Sequence, residues 1–290
     1  MGAANADPIE FEVPRDGLAL AGEEAGEGPA IVALHGLTAA RRYLVHGSKV
    51  LPRNGFRLIA YDARGHGASG VAPAGAGYGY PELALDLASV IDARVGDAPA
   101  VLAGHSMGAH TLTAHALDHP DRVAAVVIAG PATTGVPATP ETLAYWDRLA
   151  EGLESGGVEG FLAAYDHGLD PRWRDAVLGF TRARLELHRH PDDVARALRE
   201  VPRSLPFEGL AELEHLDVPA LVVASHDDAD PGHPYAVASA WAERLPRATL
   251  VSEDRGQSPL AWQGGRLSRV IAAFCRRDDV AERLGRRIGA

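Results

Sequence analysis

The residues with the most to offer chemically lie in Gly104-His105-Ser106-Met107-Gly108, a G-x-S-x-G pentapeptide. The apolar run Ala100-Val101-Leu102-Ala103 leads directly into it, and a helical pattern from Met107 to Asp118 leads directly out. A serine on such a strand-to-helix turn is held in a strained conformation, and small neighbours leave the backbone room to make the turn. Its hydroxyl then stands above the carboxyl edge of a sheet, placed to attack an electrophile; the plainer alternative is a glycine-rich turn with a capping serine. Leu34-His35-Gly36-Leu37 ends an earlier strand at the same edge. The N–H of Leu37, joined by that of Met107, would form an oxyanion hole, in which each donor aimed at a developing O⁻ contributes roughly 3–4 kcal/mol. Tyr61-Asp62-Ala63-Arg64-Gly65-His66-Gly67-Ala68-Ser69 ends the next strand and suits a tight structural loop beside the site.

These segments need a sheet to align them, and the pattern supplies one. Ile9–Val13 alternates apolar and polar, Asp16-Gly17 marks a turn, and Leu18–Leu20 begins a returning strand. Ala30–Leu34 is continuously apolar, as a strand covered on both faces must be. A helix over 41–53, a strand at Arg57–Tyr61, a helix over 81–95, the strand and helix around Ser106, and a strand at Val123–Ile128 follow. Strands alternating with helices predict βαβ units and a parallel sheet. The rhythm stops at Gly130-Pro131, and about eighty residues of helical pattern follow, carrying Tyr145, Trp146, Phe161, Tyr165, Trp173 and Phe180. It resumes with strand Ala220–Ala224, a helix over 236–245, strand Ala248–Val251 and a helix over 266–276. The expected division is a core at 1–130, a helical cap at 131–210 and a second part of the core at 211–290.

Composition narrows the function. A net charge of −11 is wrong for a nucleic-acid binder, which needs a basic stripe. No apolar run is long enough to span a bilayer, and the first residues have neither the basic nor the apolar region of a secretion signal. A single cysteine, Cys275, allows no internal disulfide and no multi-cysteine metal site. The expectation is a cytoplasmic protein whose partner is a small-molecule substrate, with no nucleic acid and no membrane.

Taken together, His35-Gly36, the Asp62–Ser69 loop, the turn at Ser106, the inserted helices and the final strand–loop–helix resemble the α/β-hydrolase superfamily in its capped, single-domain form. The resemblance implies a mostly parallel, eight-stranded sheet flanked by helices, and a nucleophile, an acid and a histidine in that chain order. It implies an acid in the turn Ser225-His226-Asp227-Asp228-Ala229-Asp230-Pro231, where the family's Gly-x-x-Asp pattern, with Ser225 in the glycine's place, points to Asp228; Asp227 and Asp230 are the competitors. It also implies a histidine after the last strand. There the chain reads Glu253-Asp254-Arg255-Gly256-Gln257-Ser258, with Gln257 in the histidine's position and no histidine after His233. An amide does not titrate near neutrality, so Gln257 cannot act as a general base.

Three readings are open. The chain is a serine hydrolase of an ester or related acyl bond whose base has been substituted; or another group, His233 first, supplies the base; or the site is hydrolytically silent and the pocket binds a small molecule or partner. No cofactor is expected. His226, Asp227, Asp228, Asp230 and His233 are a dense set of possible ligands without the spacing of a known metal motif, so no metal is expected either. His35 and His105 read as structural. His115 and His119 read as groups suited to a helix C-terminus, and His188 and His190 as part of a polar stretch. Trp146 and Tyr165 are the expected substrate-binding residues of the cap, giving a pocket for a small, mostly apolar acyl compound.

Overall fold

A computed structural model describes residues 7–167, 169–226, 230, 232–254, 262 and 264–285. Strands β1 (Ile9–Arg15), β2 (Leu18–Ala25), β3 (Ala30–Leu34), β4 (Arg57–Tyr61), β5 (Ala100–His105), β6 (Val123–Ala129), β7 (Ala220–Val223) and β8 (Ala248–Val251) form one eight-stranded sheet. Its order is β1-β2-β4-β3-β5-β6-β7-β8. The β1–β2 and β2–β4 pairs are antiparallel and the rest are parallel. Asp16 and Gly17, with φ of 44° and 88°, close the β1–β2 hairpin, a two-residue turn whose twist matches the strands.

Alternation along the buried strands divides the core. Val32, Leu34, Leu102, Val126, Ile128 and Val222 face one side, where they pack on α2 (Tyr80–Arg94), α3 (Met107–Asp118) and α7 (Tyr235–Arg244) through Leu87, Leu112 and Trp241. Ile31, Ala33, Val101, Val127, Leu221 and Val223 face the other, against α1 (Val50–Arg53), α8 (Gly264–Phe274) and α9 (Asp278–Arg283) through Leu51, Ile271 and Val280. A sheet covered on both faces requires strands without polar positions, and all residues of β3 and β6 are buried. Each fully buried large aliphatic side chain contributes roughly 1.5–3 kcal/mol.

One expected helix is largely absent. The 41–53 segment is turns up to Gly47, and only the four residues of α1 are helical. His46 and Gly47 have φ of 46° and 68°, which break any helix, and Pro52 cannot donate within one.

Between β6 and β7 lie α4 (Pro140–Tyr165), α5 (Arg174–Leu185) and α6 (Pro191–Glu200). Thr139 caps α4 by accepting the N–H of Thr142 at 3.3 Å. Gly157, at φ 59° and ψ −147°, breaks α4 in two, a backbone state closed to most side chains. The three helices share their own core of Leu149, Leu153, Phe161, Leu185, Val194 and Leu198.

Candidate active site

Ser106 has φ 52° and ψ −117°. A non-glycine residue there costs roughly 1–3 kcal/mol and persists only where its surroundings over-determine it. The surroundings do so: the Ser106 N–H donates to the Ala129 carbonyl at 3.0 Å, and the Ser106 carbonyl accepts the His110 N–H at 3.0 Å. The flanking glycines are dictated by space. A Cβ on Gly104 would lie 2.4 Å from the Gly108 carbonyl carbon, and one on Gly108 would lie 2.6 Å from the Leu34 oxygen. The pentapeptide is therefore a packed elbow between β5 and α3, with β3 pressed against it.

The Gly36 carbonyl accepts from Ala39 N–H at 3.0 Å and lies 2.8 Å from His35 Nδ1. A trans peptide sets N–H opposite C=O, so the Leu37 N–H points the other way. Among the described residues neither it nor the Met107 N–H has a partner. His35 is spoken for on both nitrogens, since Nε2 accepts the Ala63 N–H at 2.9 Å. That fixes Nδ1–H as the donor to Gly36, and burial lowers the His35 pKa, keeping the ring neutral. The Asp62–Ser69 loop is tied by Asp62, whose carboxylate accepts the Arg41 N–H at 2.7 Å and the Ala68 N–H at 3.0 Å.

His105 projects between two glycines. A Cβ on Gly36 would sit 3.0 Å from His105 Nδ1, and one on Gly130 would sit 3.1 Å from its Nε2 and 3.3 Å from His233 Cγ. The rings of His105 and His233 lie 4.7 Å apart. His233 Nδ1 lies 2.7 and 2.9 Å from the two carboxylate oxygens of Asp230. Burial alone would raise the Asp230 carboxyl, but His233 beside it, helped by His105 and Arg184, brings it down to about 2. Burial, with His233 next, lowers the His105 pKa to about 3, so this ring stays neutral. Asp228 and Gln257, the acid and the base position suggested by the sequence, lie outside the described residues, as does Asp227.

The turns after β7 and β8 are joined by Glu253, which is buried. Its carboxylate accepts the Ser225 hydroxyl at 2.7 Å, the His226 N–H at 2.5 Å and Trp262 Nε1–H at 2.9 Å. Ser225, the residue that departs from the family's glycine, thus supplies a hydroxyl that ties the two turns.

Over the elbow, Leu37 packs with Tyr145, Trp146 and Tyr165 against the core of the inserted helices. Phe161 is fully buried in that core and stacks on Tyr165 at 5.8 Å, so it supports the surface and is not part of it. The structure adds to the reading of three histidines. His188, in its polar stretch, turns inward: its Nδ1 accepts the Gly67 N–H at 2.8 Å and its Nε2 donates to the Thr38 carbonyl at 2.9 Å. His115 is buried rather than placed to answer a helix dipole, and burial lowers its pKa to about 4. His105 contacts the Asp230–His233 pair, a neighbour that its position in the pentapeptide did not disclose. His105, Asp230 and His233 are also the one group of three among the described residues whose ligand-type atoms all lie within 4.8 Å. Their arrangement is that of an imidazole oriented by a carboxylate, with a second, neutral ring tilted beside it.

The sequence profile of the alpha/beta hydrolase fold family matches residues 29–262, and the chain belongs to that family. It is 34% identical over 119 residues to a putative non-heme haloperoxidase of Mycobacterium phage D29, covering 41% of this chain and 42% of that protein. It is likewise 34% identical over 119 residues to epoxide hydrolase B of Mycobacterium tuberculosis, covering 39% of this chain and 33% of that protein. The chain thus spans less than half the length of these relatives. A thermophilic esterase from Thermogutta terrifontis superposes with a TM-score of 0.75 at 25% identity, over 93% of this chain and 98% of that one. The eight-stranded, mostly parallel sheet with flanking helices expected from the sequence is the fold of this family. No described helix is long and apolar enough to cross a membrane.

Proposed function

We propose that the protein hydrolyses a carboxylic ester or related acyl bond of a small substrate, with Ser106 as nucleophile and the N–H groups of Leu37 and Met107 as oxyanion hole. The observation that carries this is the left-handed Ser106 elbow beside two unengaged backbone donors. The base in this reading is His233, oriented by Asp230. Asp230 takes Nδ1, leaving Nε2 to accept the Ser106 proton directly or across one water. As the Oγ–C bond forms, the carbonyl electron pair moves onto oxygen and the proton passes to Nε2. The tetrahedral species collapses, the bond to the leaving group breaks, and that group takes the proton. Water then gives its proton to Nε2 and attacks the acyl carbon; Ser106 leaves and recovers the proton. Asp228 keeps the family's acid position and Gln257 the family's histidine position, where it orients water without accepting a proton.

In the same reading residues 131–210 are a cap whose Trp146 and Tyr165 line the acyl pocket, between core segments 1–130 and 211–290. No cofactor or metal takes part. The net charge of −11 favours a small-molecule partner over nucleic acid, and Cys275, buried among apolar side chains, suits a cytoplasmic protein. The test is turnover of 4-nitrophenyl acetate by the wild type and by Ser106→Ala. Turnover that Ser106→Ala abolishes supports the reading. Equal rates in both, or none in either, sink it in favour of a pocket that only binds.

A further inference from the structure

We infer that the substrate carries an anionic group, a carboxylate above all, and that Arg184 of α5 receives it. This deepens the hydrolase reading by naming its substrate class, and it rests on that reading only for the chemistry after binding.

The side of the inserted helices that bears Arg184 is fixed by residues four before and four after it in the chain. Phe180 packs edge-on against Tyr43 at 5.4 Å and against His46 at 5.6 Å. His188 bonds to Gly67 and to Thr38, the residue after the oxyanion donor Leu37. Phe180 and Arg184, spaced by four within α5, share a helix face, and His188 follows three residues after the helix ends, so Arg184 lies in the chain between two anchors to the loops after β3 and β4. Its positive charge acts on Tyr145 and Tyr165 of the insertion, on Tyr43 and His105 of the core, and on Asp230. His105 and Asp230 belong to the site, and Tyr145 and Tyr165 pack with Leu37 beside it.

Among the described residues the arginine has nothing to hold. Its Nε is buried without a hydrogen-bond partner, and among the described residues no carboxylate lies within ion-pair distance of the guanidinium. Other sheltered arginines of this chain are matched: Arg64 and Arg15 to Asp86, and Arg41 to Asp62. Asp230, the acid nearest in effect, is already committed to His233. A half-buried guanidinium whose Nε is shielded from water and unpaired is left short of an acceptor, and its planar fork of donors fits a carboxylate in bidentate fashion. Burial raises the pKa of Tyr43, Tyr165 and Tyr145, the last to about 12, so these phenols remain protonated donors around the same point. Leu37, Trp146 and Tyr165 give the apolar part of such a compound its surface, leaving one charged end for Arg184.

Two measurements on the full chain test this. The first compares kcat/KM for mono-4-nitrophenyl glutarate with that for its methyl-capped, neutral counterpart. In the wild type the anionic ester should be preferred about tenfold to a hundredfold, as expected for a charge-assisted contact. In Arg184→Met the ratio should fall to about one, chiefly through KM, and Arg184→Lys should restore part of it. Because the readout is a ratio within one protein, a partly unfolded variant does not imitate the effect. The second measurement is glutarate binding by calorimetry, which needs no turnover. Binding to the wild type and to Ser106→Ala, with loss in Arg184→Met, supports the inference even where hydrolysis fails. An unchanged ester ratio in Arg184→Met, or glutarate bound equally by it or by neither protein, overturns the inference while leaving the hydrolase reading to the Ser106→Ala comparison.

Discussion

A serine hydroxyl at neutral pH becomes a nucleophile only when a neighbouring group takes its proton, and in the proposed reading that neighbour is His233. Replacing it with Ala should lower kcat on 4-nitrophenyl acetate by about 10³-fold or more. Added imidazole should restore part of the rate to His233→Ala and none to Ser106→Ala; an undiminished rate in His233→Ala, or a wild-type rate abolished by a chelator, would assign the base elsewhere. Asp230→Asn should act in the same direction, since it removes the partner that fixes Nδ1. The elbow has a separate residue-scale consequence. Gly108→Ala drives a Cβ to 2.6 Å from the Leu34 oxygen, and backbone does not yield easily. Urea unfolding should show a loss of about 1–3 kcal/mol.

At the scale of elements, His188 is what joins the inserted helices to the loops after β3 and β4. Without its ring, the Gly67 N–H loses its acceptor and the Thr38 carbonyl its donor. His188→Ala should cost about 2–3 kcal/mol in chemical unfolding and hasten proteolysis within 131–210. Unchanged proteolysis would mean that the apolar cluster around Leu37 holds the helices unaided. The elements also show what the sequence could disclose. Period-two alternation and continuous apolar runs located the sheet, and the G-x-S-x-G spacing located the elbow, because both are local consequences of covalent geometry. The helix expected over 41–53 failed because two consecutive positive-φ residues, His46 and Gly47, override an apolar pattern. The partners of His188 and Glu253 were invisible for another reason. Each lies on a segment far along the chain from what it touches, as with Glu253 and Ser225, and nothing in one sequence states such a pairing. Asp230 and His233 were legible as neighbours in the chain, but not as neighbours of His105.

For the whole molecule the buried histidines set the response to acid. Burial holds His105 and His110 at about 3 and His115 and His188 at about 4. In the unfolded chain these rings bind protons near pH 6.5, and in the folded one they do not. Between pH 6.5 and about 4 the unfolded state therefore carries more protons, and stability falls as pH falls. The carboxyl of Asp230, at about 2, adds a further loss only below about pH 3.8. Calorimetric scans should show Tm dropping steeply from pH 6.5 towards pH 4, and a flat Tm over that interval would contradict the burial of these rings. The His115→Gln variant should blunt the drop.

The place where the helices are inserted carries an evolutionary consequence. The chain leaves the sheet after Ala129 and re-enters at Ala220, on strands already paired side by side, with Ala129 beside Val223. The registers on either side of this junction owe nothing to what is spliced between them. A descendant could therefore exchange the whole helical segment by recombination at two adjacent points, while inheriting the elbow at Ser106 unaltered.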